Sequence, residues 1–145
     1  MLKSTQTLRW NYEFSRIYKR GTFATGRYLS VHCYKRSPTL RHNQTLIPID
    51  ILRVGFTNGH GRRTAVARNR GKRLLRAAFS VYESQIPAGY DIVFLMKAAG
   101  DLPTYQEVVK EMGRHLKKLN LLVVENNDEE TGDQADPVLS DIQGA

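Results

Sequence analysis

Arg68-Asn69-Arg70-Gly71-Lys72-Arg73-Leu74-Leu75-Arg76 is the stretch from which the rest of this chain is read. Stepping about 100° per residue along a helix places Arg68, Asn69, Lys72, Arg73 and Arg76 in one arc of roughly 140°. Gly71, Leu74, Leu75, Ala78 and Tyr82 fall on the opposite side, with Phe79 at its border, and Arg70 stands alone past the far edge of the basic arc. One helix therefore carries a core-packing stripe and a rigid row of cationic heads. Rigidity matters because a guanidinium fork loses less entropy per phosphate contact when its backbone is already fixed. Solvated helix faces ordinarily mix signs through i, i+4 pairs. Here Arg53 to Arg76 contains eight Lys or Arg residues and no acid. Charges this dense repel one another and demand a polyanion, so nucleic acid is the expected partner.

Working outward, Asn58-Gly59-His60-Gly61 reads as a turn feeding this helix, which is expected from about Thr64 to Ser84 and is broken by Pro87-Ala88-Gly89. Before the turn, Asp50 to Thr57 reads as a strand whose start is limited by Pro48. After the helix, Tyr90 to Met96 is nearly continuous in apolar residues, as in a strand buried on both faces. Thr104 with Glu107 forms a capping box, and Tyr105, Val108, Val109, Met112, Leu116 and Leu119 mark a helix behind it. Towards the N-terminus, Tyr28 to Lys35 alternates as a strand and a short strand fits around Thr22 to Thr25. Tyr12 to Arg20 has helical spacing, with Asn11 as its expected N-cap and Gly21 as a left-handed stop. Residues 36–46 carry turn formers and no period, and are expected to be a long connection. No internal repeat or domain linker is visible. The fold class this implies is α+β, helices packed on one small sheet.

The net charge of +8 understates the polarity of the molecule. Residues 125–145 hold seven acids and no Lys or Arg, so the other 124 residues carry 22 bases against the remaining seven of the 14 acids, a net of +15. The expected organisation is a basic domain over residues 1–124 and an acidic, disordered tail over 125–145, which either screens the basic surface or merely solubilises the chain. The single cysteine, Cys33, lies in an alternating strand and reads as a buried thiol. The opening residues lack an apolar h-region, and no apolar run reaches about 18 residues, so a soluble, cytoplasmic protein with no membrane partner is expected.

Catalytic chemistry by the protein itself finds little support. His32, His42, His60 and His115 are scattered, with no carboxylate at a telling spacing. One cysteine and no His pair leave no zinc ligand set, and Gly59-x-Gly61 lacks the further residues of a phosphate-cradling loop. No catalytic residue, metal ligand or small-molecule cofactor is therefore assigned. Aromatic and basic residues do interleave, with Trp10, Tyr12, Phe14, Tyr18, Tyr28 and Tyr34 beside Arg9, Arg16, Lys19, Arg27 and Lys35. Exposed rings can stack unpaired bases, at about 1–3 kcal/mol each. Tyr18, Tyr28 and Tyr34, with their polar tips, suit a wet groove, whereas Phe14 divides evenly between groove and core.

Arg53-Val54-Gly55-Phe56, a turn, then Ala65-Val66-Ala67-Arg68-Asn69-Arg70-Gly71-Lys72-Arg73 through Phe79 resembles the signature of the bacterial ribonuclease P protein component family. Phe14-x-x-x-Tyr18-x-x-Gly21 is similar to that family's first helix, and Asp91-Ile92-Val93 to its last strand; the likeness runs over about residues 8–119. The resemblance implies an α-β-β-β-α-β-α order, a domain like that of ribosomal protein S5, and a left-handed βαβ crossover. It implies the non-catalytic protein subunit of an endoribonuclease, partnered with ribonuclease P RNA, whose magnesium ions carry out the hydrolysis. It also implies that Arg68, Asn69, Arg70, Lys72, Arg73 and Arg76 bind RNA. A groove at Phe14, Tyr18 and His32 would take the 5′ leader of precursor tRNA. Where the family commonly reads Ser-Lys-Lys-x-Gly, this chain has Gly59-His60-Gly61-Arg62-Arg63, so Arg62 and Arg63 carry the basic charge there and join the expected RNA contacts. The alternative is a ribosomal or other structural RNA-binding protein that uses the same helix.

Overall fold

The apolar run from Tyr90 to Met96 becomes the strand around which the sheet is assembled. The computed structural model describes residues 4–59, 64–98 and 101–123. In chain order the elements are β1 (Thr5–Thr7), α1 (Asn11–Arg20), β2 (Thr22–Thr25), β3 (Leu29–Lys35), β4 (Arg41–His42), β5 (Thr45–Leu46) and β6 (Leu52–Asn58). After them come α2 (Ala65–Tyr82), a 3-10 turn (Glu83–Gln85), β7 (Tyr90–Met96) and α3 (Tyr105–Lys118). Five strands form one sheet in the order β1-β6-β7-β3-β2, and β4 with β5 makes a separate hairpin. β7 lies in the middle, parallel to β6 (Val54↔Ile92, Phe56↔Phe94) and antiparallel to β3 (Val31↔Phe94, Cys33↔Ile92). Both its faces are covered, which is why its sequence scarcely alternates. Ile92, Phe94 and Met96 enter the main core beneath α2 and α3, while Val93 joins Leu8 and Ile17 beneath α1.

The α+β class and the order α-β-β-β-α-β-α hold from α1 to α3. Two additions were not foreseen: the edge strand β1, which pairs parallel with β6, and the hairpin β4–β5 inside the supposed structureless connection. Strands of two or three residues contain too little alternation to be seen by period.

The helix boundaries follow from local chemistry. The Thr64 side chain accepts a hydrogen bond from the Ala67 N–H at 3.1 Å and starts α2. Gly71, Leu75, Ala78 and Phe79 are its buried residues, so Phe79 belongs inside the stripe rather than at its border. At α3, Thr104 accepts from the Glu107 N–H at 3.2 Å and Glu107 accepts from the Thr104 N–H at 2.8 Å, the expected capping box. Two expectations at α1 are corrected. The N-cap is Trp10, not Asn11: an indole offers no acceptor, and Glu13 instead reaches back to the Trp10 N–H at 3.4 Å. Gly21 is extended (φ −85°), not left-handed. Its need for glycine is steric, because a Cβ there would run into the carbonyl oxygens of Cys33 and Ile17 where the helix end closes on β3.

Candidate nucleic-acid interface

On α2, Arg68, Asn69, Arg70, Arg73 and Arg76 are exposed and Lys72 is half-buried. The predicted division of the helix into core stripe and basic face is thus present in the fold, and Arg70 is solvent-facing like the others. The Arg76 guanidinium lies 5.6 Å from the Phe56 ring centroid, a cation–π contact that holds the head against the sheet while the residue stays exposed. Asn58, at the end of β6, donates to the Arg68 carbonyl at 2.9 Å. Gly71 faces this contact, and a Cβ there would meet the Asn58 amide oxygen, so the small residue lets the basic helix seat directly on the strand end. Arg62 and Arg63 lie outside the described residues, as does the acidic tail.

The other face of the sheet carries α1. Phe14 is half-buried and lies over Gly55, where an added Cβ would come within 2.7 Å of its ring. It packs against the Leu8, Ile17 and Val93 cluster, so its ring fills the seam between helix and sheet. Four residues on, Tyr18 meets His32 of β3 edge to face at 4.8 Å. The three expected groove residues thus lie along one side of α1, where it rests on β6, β7 and β3. Phe23 of β2 completes the wall: it is 60 % exposed and stacks on His32 at 5.6 Å, its partner in the strand register. The sequence reading missed it, although its place opposite buried Ala24 in a short strand puts an aromatic ring on the same face as His32. Ser30 is within hydrogen-bond distance of the His32 ring at 3.0 Å. Burial lowers the His32 pKa below its usual 6.5 and raises that of Tyr18 above 10.0, so both rings are neutral at neutral pH.

The remaining aromatic expectations divide. Tyr34 sits on the α1 face with the Arg16 guanidinium 5.5 Å from its ring centroid. Tyr28 does not line the groove. β3 starts only after it, at Leu29; its hydroxyl donates to Glu107 at 2.7 Å, and its backbone N–H donates to Glu111 of α3. Cys33 is buried as expected, with its thiol pKa pushed up by burial.

Beneath α1 lies an ionic network with no sequence signature. Asp91, fully buried, accepts two bonds from Arg53 at 2.8 and 2.7 Å and one from Arg36 at 2.7 Å, with Arg16 at 3.7 Å. Glu13 binds the other end of Arg53 at 2.5 Å. Burial alone would lower the Arg53 pKa, but hydrogen bonds and charge from Asp91 and Glu13 outweigh it and hold the guanidinium more basic than usual. Arg36 also donates to the carbonyls of Tyr90, Pro48 and Ile51, which ties the long connection to the sheet. Three arginines against two carboxylates leave this seam cationic. Among the described residues no group of three His, Cys, Asp or Glu side chains is placed to hold a metal ion. None of the described helices is long and apolar enough to cross a membrane.

The Ribonuclease P family model matches residues 2–120. The ribonuclease P protein component of Natranaerobius thermophilus is 31% identical over 116 residues, spanning 80% of this chain and 91% of that protein. That of a Pseudanabaena species is 32% identical over 122 residues, spanning 84% and 97%. Among solved structures, the Staphylococcus aureus RNase P protein superposes with a TM-score of 0.63 at 25% identity, covering 80% of this chain and 96% of that one. The Thermotoga maritima RNase P protein shares the fold with a TM-score of 0.56, covering 78% and 94%.

Proposed function

From the premise that this chain belongs to the ribonuclease P protein family, we propose that it binds ribonuclease P RNA through the α2 surface and the 5′ leader of precursor tRNA through the α1 groove. Its effect is to promote 5′-end maturation of tRNA. The observation that carries the first half is the outward face of α2, where Arg68, Asn69, Arg70, Arg73 and Arg76 project from one rigid helix that bears no acid. Packed RNA phosphates condense counterions, and fixed guanidinium groups release them on binding. A protein that supplies such charges lowers the magnesium concentration at which the RNA reaches its working fold. The groove serves the second half. A leader is single-stranded, so its bases are free to stack on Phe23, His32 and Tyr18, while a duplex presents no base faces.

In this reading the protein holds and orients, and the RNA with its magnesium performs the hydrolysis. No step is routed through an ion held by the protein. Arg62 and Arg63, next to α2 in sequence, add two further positive charges to this stretch of the chain.

The test mixes the protein with a bacterial ribonuclease P RNA and labelled precursor tRNA at low magnesium, with each component alone as control. Correct 5′ cleavage only when both are present is the expected result. No stimulation, with the RNA shown to be folded, would replace this reading with that of a ribosomal or other structural RNA-binding protein.

A further inference from the structure

The hairpin β4–β5 builds a second aromatic feature, separate from the groove. His42 stacks on Trp10, with ring centroids 5.0 Å apart and 23° between planes, and on Tyr12 at 5.6 Å and 11°. A hydrogen bond between the Tyr12 hydroxyl and the His42 Nδ1 locks the arrangement. Although held this firmly, Trp10 and Tyr12 remain 48% and 47% exposed. Two clefts meet at Trp10. One, of about 540 Å³, is bounded by Thr5, Gln6, Thr7, Arg9 and Arg53; the other, of about 410 Å³, lies between Gln6 and the hairpin residues His42, Asn43 and Thr45. Volumes of this size suit a nucleotide-sized ligand. The acid in the first cleft, Glu13, is 1% exposed and is neutralised by Arg53 at 2.5 Å. Arg9, which lines the first cleft, is exposed.

We propose that Trp10, braced by His42, is the platform for one unpaired nucleotide of an RNA strand. The base lies against the exposed indole, and a flanking phosphate lies towards Arg9. The ligand class rests on the RNA-binding reading above; the site itself rests on the ring stack and the clefts. A braced ring costs little further order on binding, which is what a stacking platform requires. Gln6 and Asn43 each offer an amide that both donates and accepts, suited to the edge of an unpaired base. A base-paired segment is excluded, because its faces are already covered by its neighbours.

Trp10 is the sole tryptophan, so its fluorescence reports this site directly. The full-length protein is titrated with a five-nucleotide oligoadenylate and, separately, with adenosine monophosphate. Saturable quenching by the oligonucleotide, at least about tenfold tighter than by the mononucleotide, is expected from added phosphate contacts. His42→Ala and Arg9→Ala should each weaken it about fivefold or more without lowering the melting temperature enough to unfold the protein. Ultraviolet cross-linking of the same oligonucleotide should map to the peptides containing Trp10 or His42. Unchanged fluorescence at saturating oligonucleotide, or cross-links confined to other peptides, would overturn the proposal. Equal quenching by the mononucleotide would overturn the strand and assign the cleft to a free nucleotide. Precursor tRNA cleavage by the same preparation decides the broader reading separately: stimulation without quenching sinks only the Trp10 site, and quenching without stimulation sinks only the subunit role.

Discussion

Glycine and histidine positions give the sharpest tests at the scale of single residues. Gly21→Ala should destabilise the protein by about 2 kcal/mol, because the added methyl meets two backbone carbonyl oxygens that cannot swing aside; urea unfolding measures it. His32 supplies a pH signature. Its pKa is lowered by burial, so the unfolded chain takes up the proton more readily than the folded one. The stability this lends is complete above the ordinary value of 6.5 and is lost as pH falls towards the lowered one. Replacing it in His32→Phe should leave the melting temperature close to wild type above that pH and make the variant progressively the more stable of the two below it. A parallel acid limb in both proteins would refute the assignment. Phe14, Tyr18 and His32 were placed by their likeness to a family pattern, and the fold brings them together. Phe23 escaped because an exposed ring on an edge strand looks like any other surface residue until its partner in register is known. Tyr28 was misplaced for the converse reason: alternation was begun one residue ahead of the true strand start at Leu29, and the carboxylates that draw it away lie 79 and 83 residues on.

Elements were legible in proportion to their length and to how much of their burial is periodic. α2 and α3 display their buried stripes in sequence, and β7 announces double burial by its unbroken apolar run. β1 and the hairpin β4–β5 were invisible, since their reasons for existing, pairing with β6 and stacking on Trp10, are contacts with distant residues. At this scale the informative experiment is charge reversal on α2. Arg68 and Arg73 both point away from the core stripe, so the Arg68→Glu/Arg73→Glu protein should unfold within about 1 kcal/mol of wild type. Its cleavage activity with the RNA at low magnesium should fall by at least tenfold, since each fixed charge is replaced by one of opposite sign. Full activity in that folded double variant would count heavily against the role proposed for the helix.

The molecule as a whole is held across its layers by Asp91. It joins α1 through Arg16, β6 through Arg53 and the β3–β6 connection through Arg36, all from the central strand. Asp91→Ala would leave three arginines facing one carboxylate in a dry seam. The cost should be about 3 kcal/mol or more, well above that of a surface pair, and is read from the denaturant midpoint at unchanged slope. None of this was visible beforehand, because Arg16, Arg36, Arg53 and Asp91 are far apart in sequence and look like ordinary surface charges.

The place of β7 in the sheet has a consequence for how the protein is made. The strand between β6 and β3 is the last of the five to leave the ribosome, so a nascent chain that already displays β3, β6 and the whole of α2 still has no template on which to close. Until residue 96 has emerged, two unpaired strand edges and a dense row of positive charge sit beside a ribosome whose own surface is RNA. Folding that waits on such distant partners is slow. The interval between synthesis of α2 and arrival of β7 is therefore the stage at which the basic helix exists without the completed sheet that seats it.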